Sequence, residues 1–170
     1  PVKEKIYYMF DHVPVNQTPV TELWVYDRVS GEHQSLMKSD KQFTPYRIAL
    51  APDMSVIAIA GESAANRVDI RLFDLTQLTL SDVLHQLPLG FTEIDWHPNG
   101  KQLLVHHMNQ LKLVSLTGDV QPLPYQHFQR IHNPSFNSDG SQILLSASNQ
   151  DSDIWLFDRK SNAMNKLVDS

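Results

Sequence analysis

Cysteine is absent from this 170-residue chain. That removes disulfides, thiolate chemistry and Cys-ligated zinc together, and leaves the redox compartment open. Basic residues are few, 14 Lys and Arg against 19 Asp and Glu for a formal charge of −5. With no basic cluster anywhere, direct nucleic-acid contact by this segment is not expected, because phosphate affinity rests on clustered cations. No apolar run approaches the roughly 18 residues that a membrane span requires. No basic-then-apolar leader opens the chain either, so membrane insertion by this segment is not expected and Pro1 reads as a trimmed boundary or a mature end. Glycine is limited to six residues, of which Gly31, Gly100, Gly118 and Gly140 fall in turn phrases. What is present is 41% hydrophobic content, enough for a real core and, at this length, for one domain.

The chain writes one phrase four times: TELWVYDRVSGEHQSL, VDIRLFDLTQLTLSDV, NQLKLVSLTGDVQPL and DSDIWLFDRKSNAMNKL. The residues equivalent to Asp27 are Asp74, Ser115 and Asp158, at steps of 47, 41 and 43 residues. A second phrase alternates with the first, in YRIALAPDMSVIAIAGES, FTEIDWHPNGKQLLVHHM and NPSFNSDGSQILLSASN. Each is an apolar run, a turn and another apolar run. Asn99-Gly100 and Asp139-Gly140 are strong hairpin signals, since Gly, Asn and Asp tolerate the positive φ of tight reversals. Asp53-Met54 breaks that pattern, so its turn must differ or be strained. The first phrase has reversals of its own at Ser30-Gly31, Thr117-Gly118 and Ser161-Asn162, where the preceding Asp can bond the turn backbone. Thr76-Gln77 is the exception.

Each unit therefore reads as four short strands, with no helical period anywhere convincing, and the protein is expected to be all-β. In DIWLFD, Ile154 and Leu156 occupy one face and Trp155 and Phe157 the other, so the strand is apolar on both and needs cover from both sides. Blades stacked face to face supply such cover, which favours a β-propeller. One four-stranded unit cannot sustain itself: ordering a residue costs roughly 1–2 kcal/mol and burying a large apolar side chain returns roughly 1.5–3 kcal/mol. KIYYMFD reads as the second strand of a first blade that lacks its innermost strand. Approximate blade limits are 1–40, 41–87, 88–127 and 128–170.

The pattern of Pro or Ser, then Asp-Gly, an apolar strand and Asp-Ile-Trp-Leu-Phe-Asp, fullest from Asn133 to Leu167, resembles the TolB-like β-propeller repeat. The resemblance extends over nearly the whole chain. It implies a propeller segment of about four blades, an open arc or part of a larger ring, since TolB-like propellers usually have more blades. Similar repeats occur in TolB, in the periplasmic part of CadC-like and ToxR-like membrane-bound transcription regulators, and in the N-terminal propeller of prolyl oligopeptidase-type enzymes. The resemblance thus implies a periplasmic, non-catalytic binding or sensory module. A TolB-type protein-interaction module and the gating propeller of a peptidase are its alternatives. It names no cofactor, and the partner, protein or small ligand, stays unidentified. Exposed blade faces would also suit a homodimer.

Candidate site residues are few. Glu93 and Asp95 alternate on one face of FTEIDW, where side chains can line a propeller channel; paired carboxylates serve acid–base chemistry or bind a cation, or else meet water or basic side chains of the next blade. PLPYQHFQRIHNP brings Tyr125, Phe128, Arg130 and His132, residue types common at binding hot spots, although half of it reads as outer strand and crossover. His106 and His107 point to opposite faces of one strand and cannot chelate one metal in the usual way, so no metal site is expected. Histidine titrates near pH 6.5, and the CadC-like resemblance makes pH sensing an attractive use of some of the eight present. Ser63 in AGESAAN lacks the second glycine of a nucleophile elbow, and a strand rather than a helix follows it. The segment Asp11–Thr21 reads as a long loop of the kind that carries binding on rigid scaffolds. No catalytic residue is assigned.

Overall fold

The computed structural model describes residues 4–13, 19–124, 130–148 and 152–168. Among them the chain forms four antiparallel sheets and no α-helix. The first sheet has three strands, in the order β1 (Lys5–His12), β2 (Val20–Asp27) and β3 (His33–Lys38). The second holds β4 (Phe43–Leu50), β5 (Val56–Ser63) and β6 (Arg67–Asp74), and its last position is divided between β7 (Thr79–Leu80) and β8 (His85–Pro88), both paired with β6. The third consists of β9 (Thr92–Trp96), β10 (Gln102–His107), β11 (Gln110–Ser115) and β12 (Val120–Pro122). The fourth consists of β13 (Arg130–Phe136), β14 (Gln142–Ser148), β15 (Ser152–Asp158) and β16 (Ala163–Val168).

The chain divides into two compact units, Pro1–Ile48 with Met54–Leu89, and Ala49–Asp53 with Gly90–Ser170. In the first unit, Leu23 of β2 meets Phe43, Ile57, Ile59 and Phe73 of the second sheet, with Tyr7 and Met9 of β1 against them. In the second unit, Leu104, Leu111 and Leu113 of the third sheet meet Ile131, Ile143, Leu145, Ala147 and Phe157 of the fourth. Each core is thus one sheet laid on another, and each fully buried large apolar side chain in it contributes roughly 1.5–3 kcal/mol. Two-sided cover is complete in β5, where Ile57, Ala58, Ile59 and Ala60 are all buried. In DIWLFD the cover holds on one face: Phe157 is buried, whereas Ile154 and its sheet-mate Leu144 remain 40% and 43% exposed.

The repeated Asp has one job throughout. Asp27, Asp74 and Asp158 each use Oδ1 to accept the backbone N–H groups two and three residues on, at 2.7–3.1 Å. Ser115 Oγ replaces them in the third sheet, accepting from the N–H of Asp119 at 3.0 Å. These bonds to the charged form hold the Asp27 and Asp158 carboxyls below the usual carboxylate range, the N–H of Ser30 and of Ser161 contributing most. Among the described residues the first sheet holds no counterpart of β4, β9 and β13. The long loop expected over Asp11–Thr21 is shorter, because Asp11 pairs with Thr21 and His12 with Val20 as extensions of the hairpin; residues 14–18 lie outside the described set.

Candidate functional site

The acidic and imidazole groups singled out above converge where β9 of the third sheet meets β13 of the fourth. Glu93 lies opposite His106 and Asp95 opposite Leu104 in the β9–β10 register. These four residues therefore share one face. Glu93 is 6% exposed and His106 2%. One Glu93 oxygen, Oε2, accepts from His106 Nδ1 at 3.0 Å and from the backbone N–H of Asn133 at 2.9 Å. Asp95 Oδ2 accepts the backbone N–H of Phe136 at 3.0 Å. The two carboxylates thus act as a clasp on β13, and neither is turned to basic side chains of the fourth sheet in these bonds.

The clasp spans an irregularity in β13. The pairing of β13 with β14 shifts register between His132 and Ser135, and Asn133 stands at φ 50°. Such a bulge turns backbone groups away from their ladder partners, and Pro134 adds no donor of its own. The carboxylates take the N–H of Asn133, inside the irregular stretch, and that of Phe136, just beyond it where the register with β14 has resumed. An unpaired buried N–H would cost about 1–3 kcal/mol, so both sides of the clasp are needed.

His106 sits against Phe91, ring centroids 6.3 Å apart, and Phe91 also meets His132 at 6.1 Å. With Nδ1–H given to a carboxylate, the neutral ring keeps its lone pair on Nε2, which is buried without a hydrogen-bond partner. Burial pushes the His106 pKa below the ordinary imidazole value; the hydrogen bond and charge of Glu93 act the other way, and nearby His132 adds to the lowering. Burial thus favours the neutral ring. On the opposite face His107 Nδ1 meets Thr92 Oγ1 at 2.8 Å, and that hydroxyl donates to Gly90 O at 3.1 Å. The expectation that adjacent His106 and His107 serve opposite faces is met.

Of the six candidate binding residues, Glu93, Asp95 and His132 come together here. Arg130 belongs to β13 by its backbone, while Tyr125 and Phe128 lie outside the described residues. Sequence reasoning weighed His106 only beside His107 as a metal ligand, and passed over Phe91. The spacing of Glu93 and His106 across an Asn-Gly turn was the signal that pairs them, since a hairpin of that register places them opposite each other. Ser63 ends β5, and its Oγ–H donates to Arg67 O at 3.3 Å within a hairpin turn. Among the described residues no group of three or more His, Asp or Glu is placed to hold a metal ion.

No protein-family model matches the sequence, and no curated protein matches it. Solved structures do. TolB from Acinetobacter baumannii superposes with a TM-score of 0.79 at 17% identity, covering 98% of this chain and 41% of that one. A putative TolB from Agrobacterium tumefaciens gives 0.70 at 12% identity, over 94% of this chain and 60% of that one. The β-propeller domain of the Trilobed protease from Pyrococcus furiosus gives 0.64 at 10% identity, over 98% and 54%. The chain spans about half the length of the structures it matches. At these identities the likeness shows fold, and the fold is that of part of a TolB-like β-propeller.

Proposed function

We propose that this chain is a non-catalytic propeller module with a binding or sensory role, in its most specific form the periplasmic sensor part of a CadC-like membrane-bound transcription regulator. The observation that carries the reading is the clasp. The two carboxylates a propeller strand could have offered to acid–base chemistry are committed to backbone N–H groups of β13, so moving a proton onto either would release a strand rather than serve a substrate. The buried, neutral His106 on Glu93 gives the scaffold a group whose charging by acid would be felt at the join between two sheets.

A TolB-type protein-interaction module is the second reading, favoured by the superposition over 98% of the chain. The two separate in a bacterial reporter strain carrying this chain outside the inner membrane, fused through one membrane span to a cytoplasmic DNA-binding domain. The sensor reading expects reporter output to change on acidification of the medium from about pH 7.5 to about pH 5.5, across the ordinary imidazole range, and the change to shrink in His106→Gln. Output independent of pH in the wild-type fusion would remove it and leave the interaction module. Turnover of broad esterase, peptidase or phosphatase substrates, lost in Ser63→Ala or Glu93→Gln, would overturn both.

A further inference from the structure

The third and fourth sheets make the same turn between their first two strands, with one chemical difference. In the third, Gly100 donates its N–H to His97 O at 2.9 Å, and Asn99 Oδ1 accepts the Lys101 N–H at 2.9 Å. In the fourth, Gly140 donates to Asn137 O at 3.1 Å, and Asp139 Oδ1 accepts the Ser141 N–H at 2.8 Å. The two glycines stand at φ 69° and 73°, and the flanking bonds, His97 N–H to Gln102 O and Asn137 N–H to Gln142 O, match as well. The same backbone path thus carries an amide at residue 99 and a carboxylate at residue 139.

Of the nine asparagines in the chain, Asn99 is the one that precedes glycine. The Cγ of an asparagine is open to attack by the backbone nitrogen of the next residue, and a side chain on that residue shields the nitrogen. Gly100 has none, and a Cβ placed there would meet open space. Asn99 is exposed, and its bond to the Lys101 N–H folds the carboxamide over the Asn99–Gly100 peptide and polarises Cγ. The other asparagines lack this combination. Asn137 has both ends of its amide engaged, Oδ1 by the Gln142 N–H at 3.0 Å and Nδ2 by Ser141 Oγ at 3.3 Å. Asn133 precedes Pro134, which has no N–H to lose, and the rest precede Arg, Gln, Ala or Lys. In the closed turn the Gly100 N–H is tied to His97 O. Reaction therefore proceeds from brief openings of the exposed turn, which cost far less than unfolding.

We propose that Asn99 is a site of spontaneous hydrolytic deamidation, with water as the co-reactant, and that the turn selects aspartate over isoaspartate as the lasting product. Gly100 N forms a bond to Asn99 Cγ, the Cγ–Nδ2 bond breaks, and ammonia leaves with the proton from Gly100 N. Water then opens the cyclic imide and returns a proton to that nitrogen. Cleavage at Cγ restores the backbone and leaves aspartate. Cleavage at the main-chain carbonyl leaves isoaspartate, whose extra main-chain carbon works against the bond from His97 N–H to Gln102 O and the Trp96↔Leu103 pairing. An isoaspartate turn therefore stays open and returns to the imide, whereas an aspartate turn closes in the geometry of Asp139. The new charge lands beside His97, whose Nδ1 accepts the Asn99 N–H at 3.1 Å and whose ring lies against Phe136 of the fourth sheet, centroids 4.7 Å apart. Conversion is thus a slow change of charge at a contact between two sheets.

The test compares the 170-residue chain with a synthetic peptide of residues 96–103, both incubated in mildly alkaline buffer at physiological temperature and read by peptide mapping and mass spectrometry. Asn99 is expected to convert from amide to acid about tenfold faster than any other asparagine of the chain, a barrier difference of about 1.4 kcal/mol. The isoaspartate share of the product is expected to be several-fold lower in the chain than in the peptide, which has no sheet to close. Gly100→Ala is expected to slow conversion about tenfold, its methyl group shielding the nitrogen. Asn99→Asp is expected to keep the thermal midpoint of the parent chain. Its His97, followed by NMR, is expected to titrate at higher pH than in the parent, because a carboxylate beside the ring favours the charged form that burial and Arg159 disfavour. Conversion spread evenly over several asparagines, equal isoaspartate shares in chain and peptide, or a lowered midpoint in Asn99→Asp would each overturn the proposal. So would a folded Gly100→Ala that converts at the parent rate.

Discussion

At the reversal between its first two strands the fourth sheet carries Gly140 with φ 73°, and the second sheet carries Met54 with φ 60°. Two strands later the fourth sheet has Asn162 with φ 53°, and the second has Leu78 with φ 54°. The backbone path is the same, but glycine and asparagine adopt it with little strain, whereas a branched or long L-side chain is disfavoured by roughly 1–2 kcal/mol in the left-handed region. The second sheet uses its glycine elsewhere. A Cβ on Gly61 would lie 2.6 Å from the Phe43 ring and from the Thr44 carbonyl, so that position lets β4 close on β5. The sheet with the poorer turns has the more completely buried strand, β5. Turn chemistry and core burial are therefore separable means of holding the same fold, and local strain is tolerated where packing over-determines the path.

The comparison can be broken most forcefully in the cores. Phe73→Ala in the second sheet and Phe157→Ala in the fourth are each expected to cost about 3–5 kcal/mol, as for other buried aromatic truncations. Urea denaturation followed by tryptophan fluorescence distinguishes two cases. If the two compact units unfold together, both variants lower one shared midpoint; if they unfold separately, each lowers its own transition and leaves the other in place.

At the turns the effects are smaller and opposite in sign. Met54→Gly and Leu78→Gly are expected to stabilise by about 0.5–1 kcal/mol each, the relief of left-handed strain exceeding the added freedom of glycine in the unfolded chain. Gly140→Ala is expected to destabilise more than Gly100→Ala. Both stand at positive φ, but a Cβ on Gly140 would strike the His97 ring, while one on Gly100 meets open space. Thermal unfolding of the four variants gives the ranking. A stabilised Gly140→Ala would refute the equivalence of these positions.

The smallest effect concerns protons. Burial lowers the pKa of His106, and also that of His97 with help from the Arg159 charge. The folded state thus binds fewer protons than the unfolded one in this range. Their contribution to stability is complete above about pH 6.5 and declines as pH falls from there toward the lowered folded values. Urea midpoints measured between pH 7.5 and pH 5 are expected to fall on acidification. His106→Gln is expected to flatten part of the slope, and an unchanged slope would mean that His106 does not carry it.

Much of the architecture was legible because it is written in local chemistry. Asp27, Asp74, Ser115 and Asp158 mark the turns by bonds to backbone only a few residues away, and the apolar runs between them have strand length and strand period. That the first sheet has three strands among the described residues was legible for the same reason, since the repeat shows which strands KIYYMFD and the two phrases after it correspond to. The clasp was less legible. Glu93 and Asp95 could be placed on one face of a strand, but their partners, the N–H groups of Asn133 and Phe136, are about forty residues distant and belong to an outer strand of another sheet.

The sequence by itself determined that this protein is a set of repeated antiparallel sheets, because turn formers and strand-period apolar residues act over a few positions and need no knowledge of the rest of the chain. What Glu93, Asp95 and His106 do was settled by the packing of one sheet on another. The state of a carboxylate or an imidazole depends on which donors and which burial another sheet brings to it, and that information is not local.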